Sequence, residues 1–262
     1  MSAHTHFIAA IAKKPSEAVT AGIRSGGGQD PNPELFARQH DTYVRTLEDC
    51  GLAVTVLPAD PQFPDSVFVE DTALCFKGFA VMLRPGAPSR AGEVAAISPA
   101  ISQWYDDVEV LDRGHVDGGD VLWTGPEVIV GQSARTNLEG ATALVELLTR
   151  RGLIARIAQT PAGVLHFKSD SSSLDSETIL ATTRVAQSGV FDSYRVMEVP
   201  PGEEAAANAV RIRDHVFIPA GSPATAALLS DAGFNVVELD NSEPALIDGG
   251  LSCMSLRIPE QD

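Results

Sequence analysis

A chain of 262 residues with 44% hydrophobic content can bury one large core or two modest ones. Its 19 Lys and Arg stand against 35 Asp and Glu, and the net charge of −16 disfavours nucleic acid and anionic membranes as partners while favouring a small cation. Three widely separated cysteines, Cys50, Cys75 and Cys253, fall in no C-x-x-C spacing, so neither a disulfide framework nor a structural zinc site is expected and the compartment reads as reducing and cytoplasmic.

Met1-Ser2-Ala3-His4-Thr5-His6 carries neither the basic nor the apolar segment of a secretion signal, and no apolar run reaches membrane-spanning length. His4 and His6 read as incidental terminal histidines. A strand at Phe7-Ile8-Ala9-Ala10-Ile11 leads into an irregular segment ending Gly26-Gly27-Gly28-Gln29-Asp30-Pro31-Asn32-Pro33, a surface loop of the spacer or lid kind. Asn32 then caps a helix with Pro33 at its first position. Phe36, His40, Tyr43, Leu47 and Cys50 share one face, Gly51 ends the helix, and the strand Leu52 to Leu57 follows.

The grammar then recurs. Strands at Ser66-Val67-Phe68-Val69, running on through Phe76, and at Phe79 to Leu83 turn at Lys77-Gly78; a helix from Glu93 to Trp104 and a strand at Val108 to Leu111 complete the unit. The next unit pairs Asp120 to Thr124 with Glu127 to Val130, opens its helix at a Thr136-Asn137-Leu138-Glu139 capping box, and ends in the strand Leu153 to Ile157. A fourth runs from Val164-Leu165-His166-Phe167 and Thr178 to Ala181 into Tyr194 to Val199. The fifth pairs Ala209 to Ile212 with Val216 to Pro219, opens a helix at Ser222-Pro223 and ends in Val236 to Leu239. A strand-strand-helix-strand unit thus repeats at a period of roughly fifty residues, with no hinge between domains, so residues 1–262 read as one domain. The first unit lacks a leading strand, and the last strand, from Ile247 through Cys253 to Leu256, is the spare that would complete it and close a ring without an exposed edge.

The leading strand of each unit, or the turn beside it, carries the unusual residues: Asp65, Glu70 and Asp71; Asp117 and Asp120; His166 and Asp170; Asn208; Asp248 and Cys253. A ring brings these together as a central acidic well with one histidine and one thiol. Converging carboxylates repel one another unless a cation compensates. A guanidinium suits the place because carboxylates accept its N–H groups in pairs; a divalent metal is the rival, without HxxxH or CxxC spacing to support it. A lone cysteine is ordinarily an inert buried hydrophobe, and one set among carboxylates has its pKa raised. Resting Cys253 is therefore expected to be a neutral thiol that a bound cation would ionise.

Six separated stretches carry a resemblance: Phe63-Pro64-Asp65-Ser66-Val67-Phe68-Val69-Glu70-Asp71, Arg84 to Arg90, Val116-Asp117-Gly118-Gly119-Asp120, Ser133-Ala134-Arg135-Thr136-Asn137, Leu165-His166-Phe167-Lys168, and Ile247-Asp248-Gly249-Gly250-Leu251-Ser252-Cys253. In this order, over essentially the whole chain, the sequence resembles the dimethylarginine dimethylaminohydrolases of the pentein, or guanidino-group-modifying, superfamily. The resemblance implies a five-bladed α/β propeller around a central acidic pocket, with no cofactor and no metal. It implies Cys253 as nucleophile and His166 as general acid and base, with Asp117 beside them. Glu70, Asp71 and Asp117 would line the guanidinium, and Arg90 and Arg135 would hold the α-carboxylate. Asp65 and the backbone of Ile23 and Ile247 would meet the α-amino end or the stem, Phe68 and Asp248 would complete the pocket, and residues 23 to 32 would form a lid.

The activity implied is hydrolysis of asymmetric dimethylarginine and monomethylarginine to citrulline through a covalent thiouronium on Cys253. The alternatives are a deiminase of unmodified arginine or another guanidine, and a non-catalytic binder of cationic amino acids. A papain-like protease would place its histidine after its cysteine, and this chain does not. The partner is a small cationic substrate; a homodimer is compatible with the sequence, which leaves the subunit count open.

Overall fold

Strands that are apolar on both faces need cover on both sides, and this chain supplies it with five small sheets set around an axis. The computed structural model describes residues 3–261; the reading of Met1 and Ser2 lies outside the described residues. The first unit is β1 (Phe7–Lys13), α1 (Pro33–Asp49) and β2 (Ala53–Leu57). The second is β3 (Ala73–Cys75), β4 (Ala80–Met82), α2 (Glu93–Ile101) and β5 (Val108–Val110). The third is β6 (Val121–Trp123), β7 (Val128–Gln132), α3 (Leu138–Arg150) and β8 (Ala155–Gln159). The fourth is β9 (Ser171–Ser173), β10 (Thr178–Ala181), the single-turn α4 (Thr183–Ala186) and β11 (Arg195–Glu198). The fifth is β12 (Val210–Ile212), β13 (His215–Pro219), α5 (Pro223–Asp231) and β14 (Asn235–Leu239), and the chain ends with α6 (Ser242–Ala245) and β15 (Leu256–Pro259).

Every sheet has three strands. The middle one runs antiparallel to the strand before it and parallel to the strand after the helix. The spare strand does close the first sheet: β15 pairs antiparallel with β1, Ile11 opposite Leu256 and Ala9 opposite Ile258. The fold is thus the five-bladed, propeller-like pentein arrangement. No helix among the described residues is long and apolar enough to cross a membrane.

Alternation along the middle strands builds the ring. In β4, Ala80 and Met82 enter the core shared with β1 and β15, whereas Val81 enters the core shared with β6 and β7. In β7, Val128 and Val130 face that second core and Ile129 faces the fourth unit. In β13, Val216 and Ile218 face the fourth unit and Phe217 faces the first. Five apolar cores therefore lie between neighbouring blades, and each blade is one wall of two of them.

Helix starts follow the expected chemistry. The Asn32 side chain accepts the Leu35 N–H at 3.0 Å with Pro33 at the first turn, and Gly51, at φ 86°, takes the left-handed conformation that ends α1. For α3 the cap is Asn137, which accepts the Gly140 N–H at 2.8 Å, and not the expected Thr136. Thr136 is drawn away because its hydroxyl donates to Asp120. His4 is not a frayed terminal residue: it is buried, 3.0 Å from the Ser173 hydroxyl. Cys50, expected in the core, is half-buried at the C-terminus of α1.

The strands expected at Ser66 to Val69, at Val164 to Phe167 and at Ile247 to Leu256 begin later than the apolar alternation suggests. In their place, short 3-10 turns precede the leading strands: Val69–Thr72, Gly118–Asp120, Phe167–Ser169, Glu204–Ala207 and Ser252–Met254. Cys253 sits on the last of these turns, and His166 immediately precedes the third.

Candidate active site

The five turns are tied to one another around the axis by a closed set of hydrogen bonds. Asp71 Oδ1 accepts the Gly119 N–H at 2.8 Å, and Asp120 Oδ1 accepts the Phe167 N–H at 2.8 Å. Asn208 Nδ2 donates to the Lys168 carbonyl at 3.0 Å while its Oδ1 accepts the Ser252 N–H at 2.9 Å. The Ser252 hydroxyl then donates to Glu70 Oε2 at 2.8 Å, back on the first turn. Turns held this way cannot slide, because each donor would be left buried and unpaired. Close approach demands glycine here: a Cβ on Gly119 would lie 2.7 Å from His166 Nδ1 and 3.0 Å from Asp71 Oδ1.

One cavity opens on these turns. It is lined by Asp71, His166 and Cys253, by the apolar Phe68, Ile247 and Leu165 with Gly249, by Asp65, Arg90 and Arg135, and by Ile23 and Asp248. The structure thus brings the thiol, the imidazole and Asp71 into one space with most of the expected pocket residues. Leu165 was not singled out from the sequence, although its place beside His166 marks it.

His166 Nε2 lies 2.9 Å from Asp117 Oδ2, and both residues are buried. Burial works against an imidazolium, but Asp71, the hydrogen bond to Asp117 and the Asp120 charge outweigh it and raise the His166 pKa to about 9. Burial likewise opposes the Asp71 charge, and His166, Arg90 and the Gly119 N–H overcome it to lower Asp71 to about 2. Cys253 goes the other way. Burial first, then Glu70 and Asp71, push the thiol up to about 12, against the weaker pull of the Gly250 N–H, 3.4 Å from Sγ, and of Lys168. At neutral pH the site is therefore an imidazolium beside a neutral thiol, in agreement with the expectation for Cys253.

Three expected contacts sit differently. Glu70 does not line this cavity: Oε1 takes Lys168 Nζ at 2.8 Å and Arg257 Nη2 at 2.5 Å, and it faces a second cavity with Lys168, Ser252 and Arg257. Neighbouring residues on a 3-10 turn point about 120° apart, so Asp71 lines this cavity and Glu70 the second, while both charges still act on the thiol. Asp117 is fully covered, its Oδ1 accepting the Gly86 N–H at 2.7 Å and its Oδ2 facing His166, so it serves the imidazole and does not line the cavity. Arg90 is buried, with Nε and Nη2 on Glu93, Nη2 also on the Phe68 carbonyl, and Nη1 on Asp71. Its fork is occupied by the protein.

Arg135 is left as the arginine of the cavity whose fork is not filled by the protein, with Nη1 3.6 Å from Asp117 Oδ2. Asp65 Oδ1 accepts the Ile23 N–H at 2.9 Å, and Asp248 Oδ2 accepts both the N–H and the hydroxyl of Ser25, at 2.5 and 2.7 Å. Both carboxylates therefore hold the 23–32 loop at the cavity. Asp248 does so from φ 59°, a left-handed conformation that Asp tolerates better than most residues. Asp71, Asp117 and His166 present ligand-type atoms within 4.8 Å of one another, the arrangement a metal would need. Asp71 has Gly119 and Arg90 on its two oxygens, and Asp117 shares its own with Gly86 and His166.

A ring of five sheets with a thiol, an imidazolium and buried carboxylates on its axial turns defines a pentein of the guanidino-modifying class. The arginine deiminase family model matches residues 95–213. A dimethylarginine dimethylaminohydrolase of Pseudomonas aeruginosa is 37% identical over 94% of this chain and 98% of that one, and one of Streptomyces coelicolor is 33% identical over 96% and 97%. The solved Pseudomonas enzyme, a mutant complexed with citrulline, superposes with a TM-score of 0.93 over 96% of this chain and 99% of that one. The chain belongs to the dimethylarginine dimethylaminohydrolase family.

Proposed function

We propose that residues 1–262 form one catalytic domain that hydrolyses N-omega-methylated arginines to citrulline and methylamine or dimethylamine, with no metal or cofactor. The observation that carries this reading is the cavity that Cys253, His166, Asp71 and Arg135 line together. An acid and a cation in one cavity suit a substrate with a guanidinium at one end and a carboxylate at the other.

The protonation states set the order of events. A guanidinium settling on Asp71 offsets the negative field that holds the thiol neutral, so Cys253 releases its proton to solvent and the thiolate adds to the central guanidinium carbon. His166, an imidazolium held by Asp117, gives its proton to the departing amine nitrogen as the C–N bond breaks. A thiouronium remains on Cys253. The neutral imidazole then takes a proton from water, the hydroxide adds to the same carbon, and as the C–S bond breaks the adduct's hydroxyl proton passes to the departing sulfur, which leaves citrulline, the Cys253 thiol and the His166 imidazolium. Proton transfer of this kind contributes typically about 10²–10⁴-fold, with positioning by the walls and Asp71 adding the rest.

Deimination of unmodified arginine is the second reading, favoured by the arginine deiminase match over residues 95–213. Incubation of the protein with asymmetric dimethylarginine, monomethylarginine, arginine and agmatine, with citrulline and the released amine both identified, separates the two. Citrulline with dimethylamine supports the first reading; turnover of arginine or agmatine alone overturns it. The cytoplasmic compartment belongs to the same proposal and rests on the composition alone; a homodimer is compatible with it.

A further inference from the structure

Glu93 is the first residue of α2, a position where a carboxylate is normally exposed and faces the free N–H groups of the helix start. Here it is 3% exposed. Its two oxygens take Arg90 Nε at 3.1 and 3.0 Å, and Oε2 also takes Arg90 Nη2 at 2.7 Å. Arg90 comes from the turn Pro88–Arg90, three residues before, and a second grip comes from the Phe68 carbonyl on Nη2 at 2.8 Å. With two edges of the guanidinium fixed, Nη1 can point only at Asp71 Oδ2, which it reaches. Asp71 is then held on both oxygens, Oδ1 by the Gly119 N–H and Oδ2 by Arg90.

We infer that Glu93 is a positioning residue for guanidinium binding, which aims Arg90 at Asp71 and keeps the Asp71–Arg90–Glu93 group at a net charge of −1. The inference rests on the hydrolase reading above. The charge matters because Arg90 alone would neutralise Asp71 and leave the carboxylate with nothing to attract a second guanidinium. With Glu93 ionised, the cation of Arg90 is shared between two acids and Asp71 keeps attraction for the substrate. Asp65, Asp71 and Arg90 are the charged groups that act on Glu93. Burial pushes its pKa up to about 7, the hydrogen-bonded Arg90 opposing and the two aspartates assisting, so the group would lose its charge within the working range.

Asp71 meets the guanidinium before and during the reaction alike, and loss of such uniform binding appears in KM and not in kcat. Wild-type turnover of dimethylarginine is measured first, since its absence defeats the hydrolase reading and not the role of Glu93. Given turnover, Glu93→Gln is expected to raise KM at least about 10-fold with kcat within about 3-fold. In the wild type KM falls as pH rises through about 7, and Glu93→Gln should lack that limb. Glu93→Asp, which restores the charge on a shorter arm, should keep the limb with an intermediate KM. An unchanged KM in Glu93→Gln, or a KM limb of the same size in both proteins, overturns the inference. Should Glu93→Gln be unfolded by circular dichroism, Glu93→Asp decides: a raised KM with kcat kept supports it, and a loss in kcat alone refutes it.

Discussion

The two oxygens of Asp117 are divided between scaffold and chemistry, Oδ1 on the Gly86 N–H at 2.7 Å and Oδ2 on His166 at 2.9 Å. The first bond fixes the carboxylate so that the second can hold the imidazole as its cation. Asp117→Asn keeps the shape and removes the charge, so His166 should fall from about 9 toward its ordinary value. We expect kcat at neutral pH to drop about 10²-fold and its alkaline limb to move to lower pH, read from pH–rate profiles. A linkage effect follows with a definite sign. A histidine raised on folding stabilises fully below its unfolded pKa, about 6.5, and that contribution is lost as pH rises through about 9. The wild type should therefore lose thermal stability over this window and Asp117→Asn should lose less; equal slopes would contradict the ion pair. At this scale the chain was readable in part. The recurrence of Asp71, His166 and Cys253 beside the leading strands marked them as neighbours on an axis. Nothing in the sequence distinguished Glu70 from Asp71, because one step along a 3-10 turn selects the face of the ring. The Arg90-Ala91-Gly92-Glu93 spacing was a signal for an internal pair that opposite charges three residues apart could have given.

Helix α1 shows which elements sequence reasoning reaches. Its start at Asn32-Pro33, its stop at Gly51 and its buried face of Phe36, His40, Tyr43 and Leu47 are all local chemistry. The turns that carry the site were not legible, since Val67-Phe68-Val69 and Val164-Leu165-His166-Phe167 are apolar runs of strand-forming residues, and the bonds that tie the turns together come from side chains nearly fifty residues away, as in Asp71 to Gly119. His40 makes a test at this scale. Neither ring nitrogen has a partner, and burial, against the nearby Asp41, pushes its pKa down to about 4. A base depressed on folding stabilises above its unfolded pKa, so its contribution should be lost as pH falls from about 6.5 to about 4. His40→Leu should flatten the acid slope of the melting temperature over that window, and an unaltered slope would place the acid sensitivity elsewhere. The 23–32 loop gives another test. Ser25→Ala removes the hydroxyl bond to Asp248 Oδ2 and spares the cavity lining. We expect KM to rise severalfold, kcat to hold, and cleavage at Gly26 to Gly28 to quicken in limited proteolysis; unchanged cleavage would mean that the Ser25 hydroxyl adds nothing to the latch its N–H makes with Asp248.

Because each middle strand sends alternate side chains into two different cores, no blade can leave without uncovering both of its neighbours. The weakest point of such a ring is its seam, where β15 joins β1 and places Leu256 and Ile258 in the core shared by the first two blades. Chain order itself should matter little, since Phe7 lies opposite Pro259 and the Glu260 N–H donates to the His6 carbonyl at 3.2 Å, leaving the two terminal strands' ends adjacent. A permutant joined across those ends by a short Gly/Ser linker, and opened between Pro201 and Gly202, keeps every strand pair. Gly202 is exposed, a Cβ added there would meet nothing within 4 Å, and its N–H donates to the Glu204 side chain two residues on at 3.0 Å, so new termini there disturb little. Deleting residues 256–262, by contrast, bares the edge of β1 and opens two apolar positions to water. We expect the permutant to unfold in one cooperative transition and keep most of its turnover, and the truncated chain to lose both, as followed by calorimetry and citrulline release. A truncated chain that melts cooperatively and still turns over would show that the site needs four closed interfaces and not five.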